Sequence, residues 1–216
     1  MLIDSAPLWA AQTNCYIVAV EAGGPAVLVD APPDPEGVAA LLRRHGVLPV
    51  ALLVTHGHVD HTGGAGSVVA RTGISAYLHP DDEWLAADPV TQLRAIFGME
   101  PPGEYAPPER FTWLEDGQVL ALAGLDMTVL HTPGHTPGHC CFHLADEGVL
   151  FSGDQLFAGS IGRTDLPGGD YGALMRSMAG KVLVLPDETD VLPGHGPATT
   201  LARERLTNPF LQDLPT

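Results

Sequence analysis

Basic residues are scarce in this chain: 10 Lys and Arg stand against 26 Asp and Glu, for a formal net charge of −16. Nucleic acid is bound through clustered Lys and Arg. The charge balance therefore argues against nucleic acid as a partner, and against anionic membrane surfaces. Cysteine is scarcer still. Cys15, Cys140 and Cys141 are an odd set whose spacing offers neither a disulfide framework nor a Cys-based zinc site. Small buried apolar residues are the plainer account of all three, and a reducing compartment fits. No run approaches the ~20 apolar residues that a membrane-spanning helix needs. Asp4 stands where a secretory leader carries basic groups. The expected setting is the cytoplasm, and the expected partner a small-molecule substrate.

Glycine (25) and proline (20) are plentiful but scattered as single turns, which reads as a loop-rich fold rather than disorder. The 216 residues suit one domain, 1–216. Residues 15–20 and 26–30 read as strands around a Gly-Gly-Pro turn. Residues 34–45 read as a helix with Asp34 as N-cap, Pro35 at its first position and Gly46 beyond its end. The apolar run 50–55 suggests a strand buried on both faces. A loop at 56–62, a helix at 63–72 and a strand at 76–79 follow. Residues 81–110 are the least regular, with helical pieces at 82–87 and 90–97, and read as an insertion or lid. Then 119–122, 127–131, 140–144 and 149–151 read as an antiparallel meander. A helix at 171–179 capped by Gly180, a strand at 189–192 and a helix at 199–206 complete the chain. Strands then a helix, twice over, point to an α/β sandwich of two sheets with helices outside.

Residues 55–61 read THGHVDH and supply His56, His58, Asp60 and His61, four metal-type side chains in six residues. His56 and His58 lie two apart, so in an extended segment they point the same way. Four such groups cannot readily surround one ion from so short a stretch; two adjacent ions are the easier geometry. Structural zinc is usually closed by four ligands and rich in Cys, and no Cys is near. Further candidates follow strands: His135 in HTPGHTPGH, Asp154 in SGD, His195 in PGHG. Each alone is weak; with THGHVDH they converge on one rim.

The order THGHVDH, HTPGHTPGH, SGD, PGHG resembles the metallo-β-lactamase superfamily. The resemblance implies an αββα four-layer sandwich with metals at one edge. It implies His56, His58 and His135 on one ion, Asp60, His61 and His195 on a second, and Asp154 bridging them. Two zinc ions are the expected cofactor, with iron or manganese as alternatives. The common zinc β-lactamases carry Cys where Asp154 stands here, which points away from lactam hydrolysis. Asp154 and the segment GSIGRTDLPGGD (159–170) resemble glyoxalase II-type thioester hydrolases and the related persulfide dioxygenases, which use one iron. Only 21 residues follow His195, so the chain is similar to the short, single-domain glyoxalase II-like enzymes.

Thioester hydrolysis at neutral pH needs hydroxide, and a bound zinc brings the pKa of its water to about 7. Shared between two ions, that hydroxide would be oriented by Asp60, the expected catalytic residue. Residual positive charge would stabilise the oxyanion. Among the remaining histidines, His45 suits a helix C-terminus, while His79 and His143 read as structural. His131 and His139 either orient ligands or simply pack. Arg163 either braces its loop through Asp165 or contacts an anionic substrate.

Overall fold

The computed structural model describes residues 1–212 and 214. Its first sheet carries β1 (Leu2–Leu8), β2 (Thr13–Ala19), β3 (Pro25–Val29), β4 (Leu48–Leu53), β5 (Ser75–Leu78) and β6 (Thr112–Trp113), side by side in that order. Alternation along these strands sorts residues to two faces. On β2, Cys15, Ile17 and Ala19 point outward, against Val38 and Leu41 of helix α1 (Pro35–His45) and against Val68 of a later helix. Tyr16 and Val18 point inward with Val27, Val29 and Leu53. Helix α1 begins as its residues dictate: the Asp34 carboxylate accepts the Gly37 N–H at 2.9 Å, and Gly46 closes the helix at φ 64°.

Between β4 and β5 lie α2 (Val59–Thr62) and α3 (Ala65–Thr72); between β5 and β6 lie α4 (Glu83–Ala86) and α5 (Pro89–Phe97). The expected loop at 56–62 thus ends in a helical turn. Val50 is exposed, so β4 is buried only in its second half.

The second sheet contains β7 (Val119–Leu122), β8 (Leu125–His131), β9 (Cys140–Leu144) and β10 (Val149–Gly153), an antiparallel meander. A small ribbon, β11 (Leu156–Phe157) with β12 (Ser160–Ile161), precedes α6 (Tyr171–Ser177). Strand β13 (Asp190–Pro193) returns parallel to β10, and β14 (Thr199–Thr200) pairs with it before α7 (Leu201–Thr207). Met127, Val129, Phe142 and Phe151 face the first sheet, while Cys141 and Leu150 face Leu174, Met178 and Leu201 of the outer helices. The layers are therefore α, β, β, α.

One strand was not foreseen and two expectations are corrected. Residues 2–8, unassigned from sequence, pair with β2 along their whole length. Gly180 does not cap α6: the chain continues through a π turn, Met178–Val182, with Gly180 inside it. Burial of Met178 and Val182 against the sheet favours this extra turn. Residues 199 and 200 are strand, and the Thr200 hydroxyl caps α7 by accepting the Arg203 N–H.

The C-terminal ends of β3, β4, β10 and β13 meet at one edge of the sandwich. There the Cys140 N–H donates to the Thr55 carbonyl at 2.7 Å and ties the two sheets together.

Candidate metal centre

The edge is organised by Asp30, which leaves β3 at φ 60°, a left-handed conformation uncommon for a residue with a side chain. Its buried carboxylate accepts the Thr55 N–H (2.7 Å), the Thr55 hydroxyl (2.9 and 3.0 Å) and the His61 Nδ1–H (2.8 Å). The Thr55 proton is thereby committed, so its oxygen accepts from His56 Nδ1 at 3.0 Å. His135 Nδ1 donates to the Arg163 carbonyl at 2.8 Å. These bonds set the tautomers. In their neutral forms His56, His61 and His135 would all turn an Nε2 lone pair to the same space.

His56 Nε2, His58 Nδ1 and His135 Nε2 lie 2.9, 3.1 and 3.2 Å apart. Ligand atoms at 2.0–2.1 Å around a tetrahedral ion stand roughly 3.3–3.4 Å from one another. The three nitrogens are therefore close to the spacing a single cation imposes. Beside them, His195 Nε2 stands 3.2 Å from Asp60 Oδ2 and 3.4 Å from His61 Nε2, which is itself 3.4 Å from Asp60 Oδ2. Asp154 reaches both groups. Its Oδ2 lies 3.5 Å from His135 Nε2 and 3.6 Å from His195 Nε2, and its Oδ1 lies 3.5 Å from His61 Nε2. That Oδ1 is buried and has no hydrogen-bond partner. A buried, unpartnered carboxylate oxygen among lone-pair nitrogens calls for a cation, and the imidazole and carboxylate donors suit zinc, iron or manganese. All seven expected ligands are brought together here.

The electrostatics differ between the two groups. Burial, reinforced by neighbouring imidazoles, holds His56 and His58 well below the usual histidine range. Burial also opposes charge on His61, but Asp60, Asp30 and Asp154 outweigh it and raise its pKa well above normal. His195 is raised likewise, burial being overcome by Asp60 and Asp154. Burial alone would raise Asp60, yet His61 and His195 hold it well below the carboxylate range.

Several supporting residues escaped the sequence reading. The Thr13 hydroxyl donates to Asp60 Oδ2 at 3.0 Å. Asp82, fully buried, accepts from Gly57 N–H (2.7 Å), Thr136 Oγ1 (2.6 Å) and Gly138 N–H (2.6 Å), joining two ligand loops. A Cβ on Gly194 would fall 2.3 Å from Asp154 Oδ1 and 2.7 Å from His61 Cε1, so only glycine fits between Pro193 and His195. Asp30 did end an apolar strand, a visible if weak signal; the others depend on long-range contacts with none.

The open alternatives also resolve. His139 Nε2 accepts the Asp154 N–H at 3.0 Å while its Nδ1 meets Thr132 Oγ1 at 2.8 Å, so it orients the Asp154 loop. His131 stacks on His79, with centroids 3.9 Å apart and planes at 9°, and donates to the Pro137 carbonyl. Asp81 lies near this pair. However, two near-parallel rings cannot both direct in-plane lone pairs at one ion, so the pair is packing. Arg163 forms a two-bond ion pair with Asp165 (2.7 and 2.6 Å) on the surface. It also lines the rim of a cleft of about 350 Å³ whose floor is His58, Asp60, His135, Asp154 and His195.

A family model described as the metallo-beta-lactamase superfamily matches residues 8–195. The chain belongs to the metallo-β-lactamase superfamily. Among its curated relatives, a Haemophilus influenzae protein named hydroxyacylglutathione hydrolase GloC is 35% identical over 98% of each chain. Among solved structures, TTHA1623 in a di-iron-bound form shares 43% identity at TM-score 0.86, covering 96% of this chain and 100% of that one. The BLEG-1 B3 metallo-beta-lactamase shares 38% identity at TM-score 0.87, covering 97% of this chain and 99% of that one. The superfamily fold accounts for the two sheets and the outer helices.

Proposed function

We propose that the protein is a binuclear metal-dependent hydrolase that cleaves thioesters of small thiols, as a glyoxalase II does. The observation that carries this reading is the pair of donor sets sharing Asp154, all nitrogen and carboxylate, at the floor of an open cleft. The identity to a protein named hydroxyacylglutathione hydrolase supports it. His56, His58 and His135 would hold one ion, Asp60, His61 and His195 the other, with Asp154 between. Two ions of the zinc, iron or manganese type would supply Lewis acidity and water acidified toward neutral pH. Asp60, kept ionised and held by Thr13, accepts a hydrogen bond from the attacking water and fixes its direction. The leaving thiolate needs little help from an acid. Arg163 at the rim would meet an anionic carrier. The net charge of −16 favours small molecules over nucleic acid, and the cytoplasm is the proposed setting. No helix among the described residues is long and apolar enough to cross a membrane.

The test is thiol release from S-lactoylglutathione and simpler thioesters by metal-loaded protein, together with Asp60→Asn and Asp154→Ala. Release by the unsubstituted protein and its loss in both variants is expected. Oxygen uptake with glutathione persulfide, and no thiol release, would replace this reading with a dioxygenase. Opening of a β-lactam alone, the reaction that the name of BLEG-1 makes worth assaying, would replace it with a lactamase.

A further inference from the structure

Beside the cleft, and touching it at His58, lies a second cavity of about 130 Å³. Its walls are Trp84 and Leu85 of α4, Ala95 and Ile96 of α5, and Leu166 and Pro167 from the loop before α6. Ile96 and Leu166 also line the cleft, so the two spaces adjoin over the metal-ligand cluster. The polar side chains at its margin are engaged elsewhere. The Gln92 amide bonds the backbone of Gly57, Val59 and Leu85, and the Asp88 carboxylate caps α5 at Thr91. What faces the cavity is therefore apolar. An apolar cavity of about 150 Å³ accepts benzene, so this one matches a phenyl ring or a branched alkyl group of four or five carbons. It is too small and too apolar for a peptide-like thiol carrier, which the open, Arg163-rimmed cleft suits better.

We propose that this cavity is the acyl pocket: it seats an apolar substituent of the substrate's acyl group while the scissile carbonyl lies over the ligand cluster. The proposal rests on the hydrolase reading and adds to it a preference for thioesters of aryl-substituted or branched short-chain acids over hydroxyacyl groups with no apolar tail. Burial of one methylene is worth roughly fourfold, and burial of a ring roughly 10–100-fold, in kcat/KM.

The test uses metal-loaded full-length protein and thioesters of N-acetylcysteamine carrying acetyl, butanoyl, 3-methylbutanoyl, phenylacetyl and octanoyl groups. The readout is the ratio of kcat/KM for each ester to that for acetyl, which is internal to one protein sample. The ratio should rise by roughly 10–100-fold to phenylacetyl and fall at octanoyl. Ala95→Trp, which fills the cavity, should collapse the ratio, and Ile96→Ala should move the optimum to longer chains. In parallel, calorimetry compares phenylacetate with acetate as ligands of the same protein. Phenylacetate should bind at least tenfold tighter, and Ala95→Trp should erase the difference. Thioester turnover with a flat chain-length profile overturns the pocket and leaves the hydrolase reading standing. A phenylacetate preference without thioester turnover overturns the hydrolase reading and keeps the pocket. Equal binding of the two acids overturns the pocket, whatever the turnover.

Discussion

Gln92 is the residue on which the placement of His58 turns. Its Oε1 accepts the Val59 N–H at 3.0 Å, and its Nε2 donates to the Gly57 carbonyl at 3.1 Å and the Leu85 carbonyl at 2.6 Å. The peptide groups on both sides of His58 are thus held by one side chain reaching in from α5. Gln92→Leu keeps the size of the side chain and removes all three bonds. A neutral hydrogen bond contributes about 0.5–1.5 kcal/mol net, so the loss is about 3 kcal/mol. At 2–4 °C per kcal/mol for a chain of this length, Tm should fall by about 6–12 °C. With His58 free to turn, chelator competition should show metal affinity down roughly 10–100-fold. Gln92→Glu should do no better, because one carboxylate oxygen would face two carbonyls. A Gln92→Leu protein melting within about 2 °C of the parent with unchanged metal affinity would refute the reasoning.

Three other perturbations act on the same cluster. His139→Ala removes the acceptor of the Asp154 N–H and should lower metal affinity by roughly 10–100-fold, read by the same competition. Gly194→Ala drives a methyl group against Asp154 and His61; calorimetric titration should find one strongly bound equivalent of metal instead of two. The third perturbation is pH. His56 and His58 stay neutral as pH falls toward 6, whereas His61 and His195, both raised, hold their protons more firmly. Metal must displace those protons. Titration of metal-stripped protein at pH 8 and pH 6 should therefore weaken the Asp60–His61–His195 site more than the other, and equal weakening would count against the assignment.

The parts of the molecule legible in sequence are those governed by local rules. Short apolar runs between turn residues placed β2, β3 and the β7–β10 meander. Asp34, Pro35 and Gly46 bounded α1, and Pro89 behind Asp88 opened α5 where a helical piece was expected. THGHVDH declared its chemistry because four ligand-type residues in six are rarely accidental. The unread parts depend on contacts distant in sequence. Strand β1 has little apolar alternation and exists because β2 pairs with it. The π turn after α6 follows from burial of Met178 and Val182 rather than from propensity. Asp82 and Gln92 look like ordinary polar residues until the fold brings Gly57 and Val59 to them, and for His139 only the fold decides between orienting the Asp154 loop and packing.

The most direct measurement is a crystal structure of the metal-loaded protein with anomalous difference density collected at the metal's absorption edge. Two peaks are predicted, one among His56, His58 and His135 and one among Asp60, His61 and His195, with an Asp154 carboxylate oxygen between them. A single peak at the first site with His61 and His195 turned away, or no peak at all, would contradict the account.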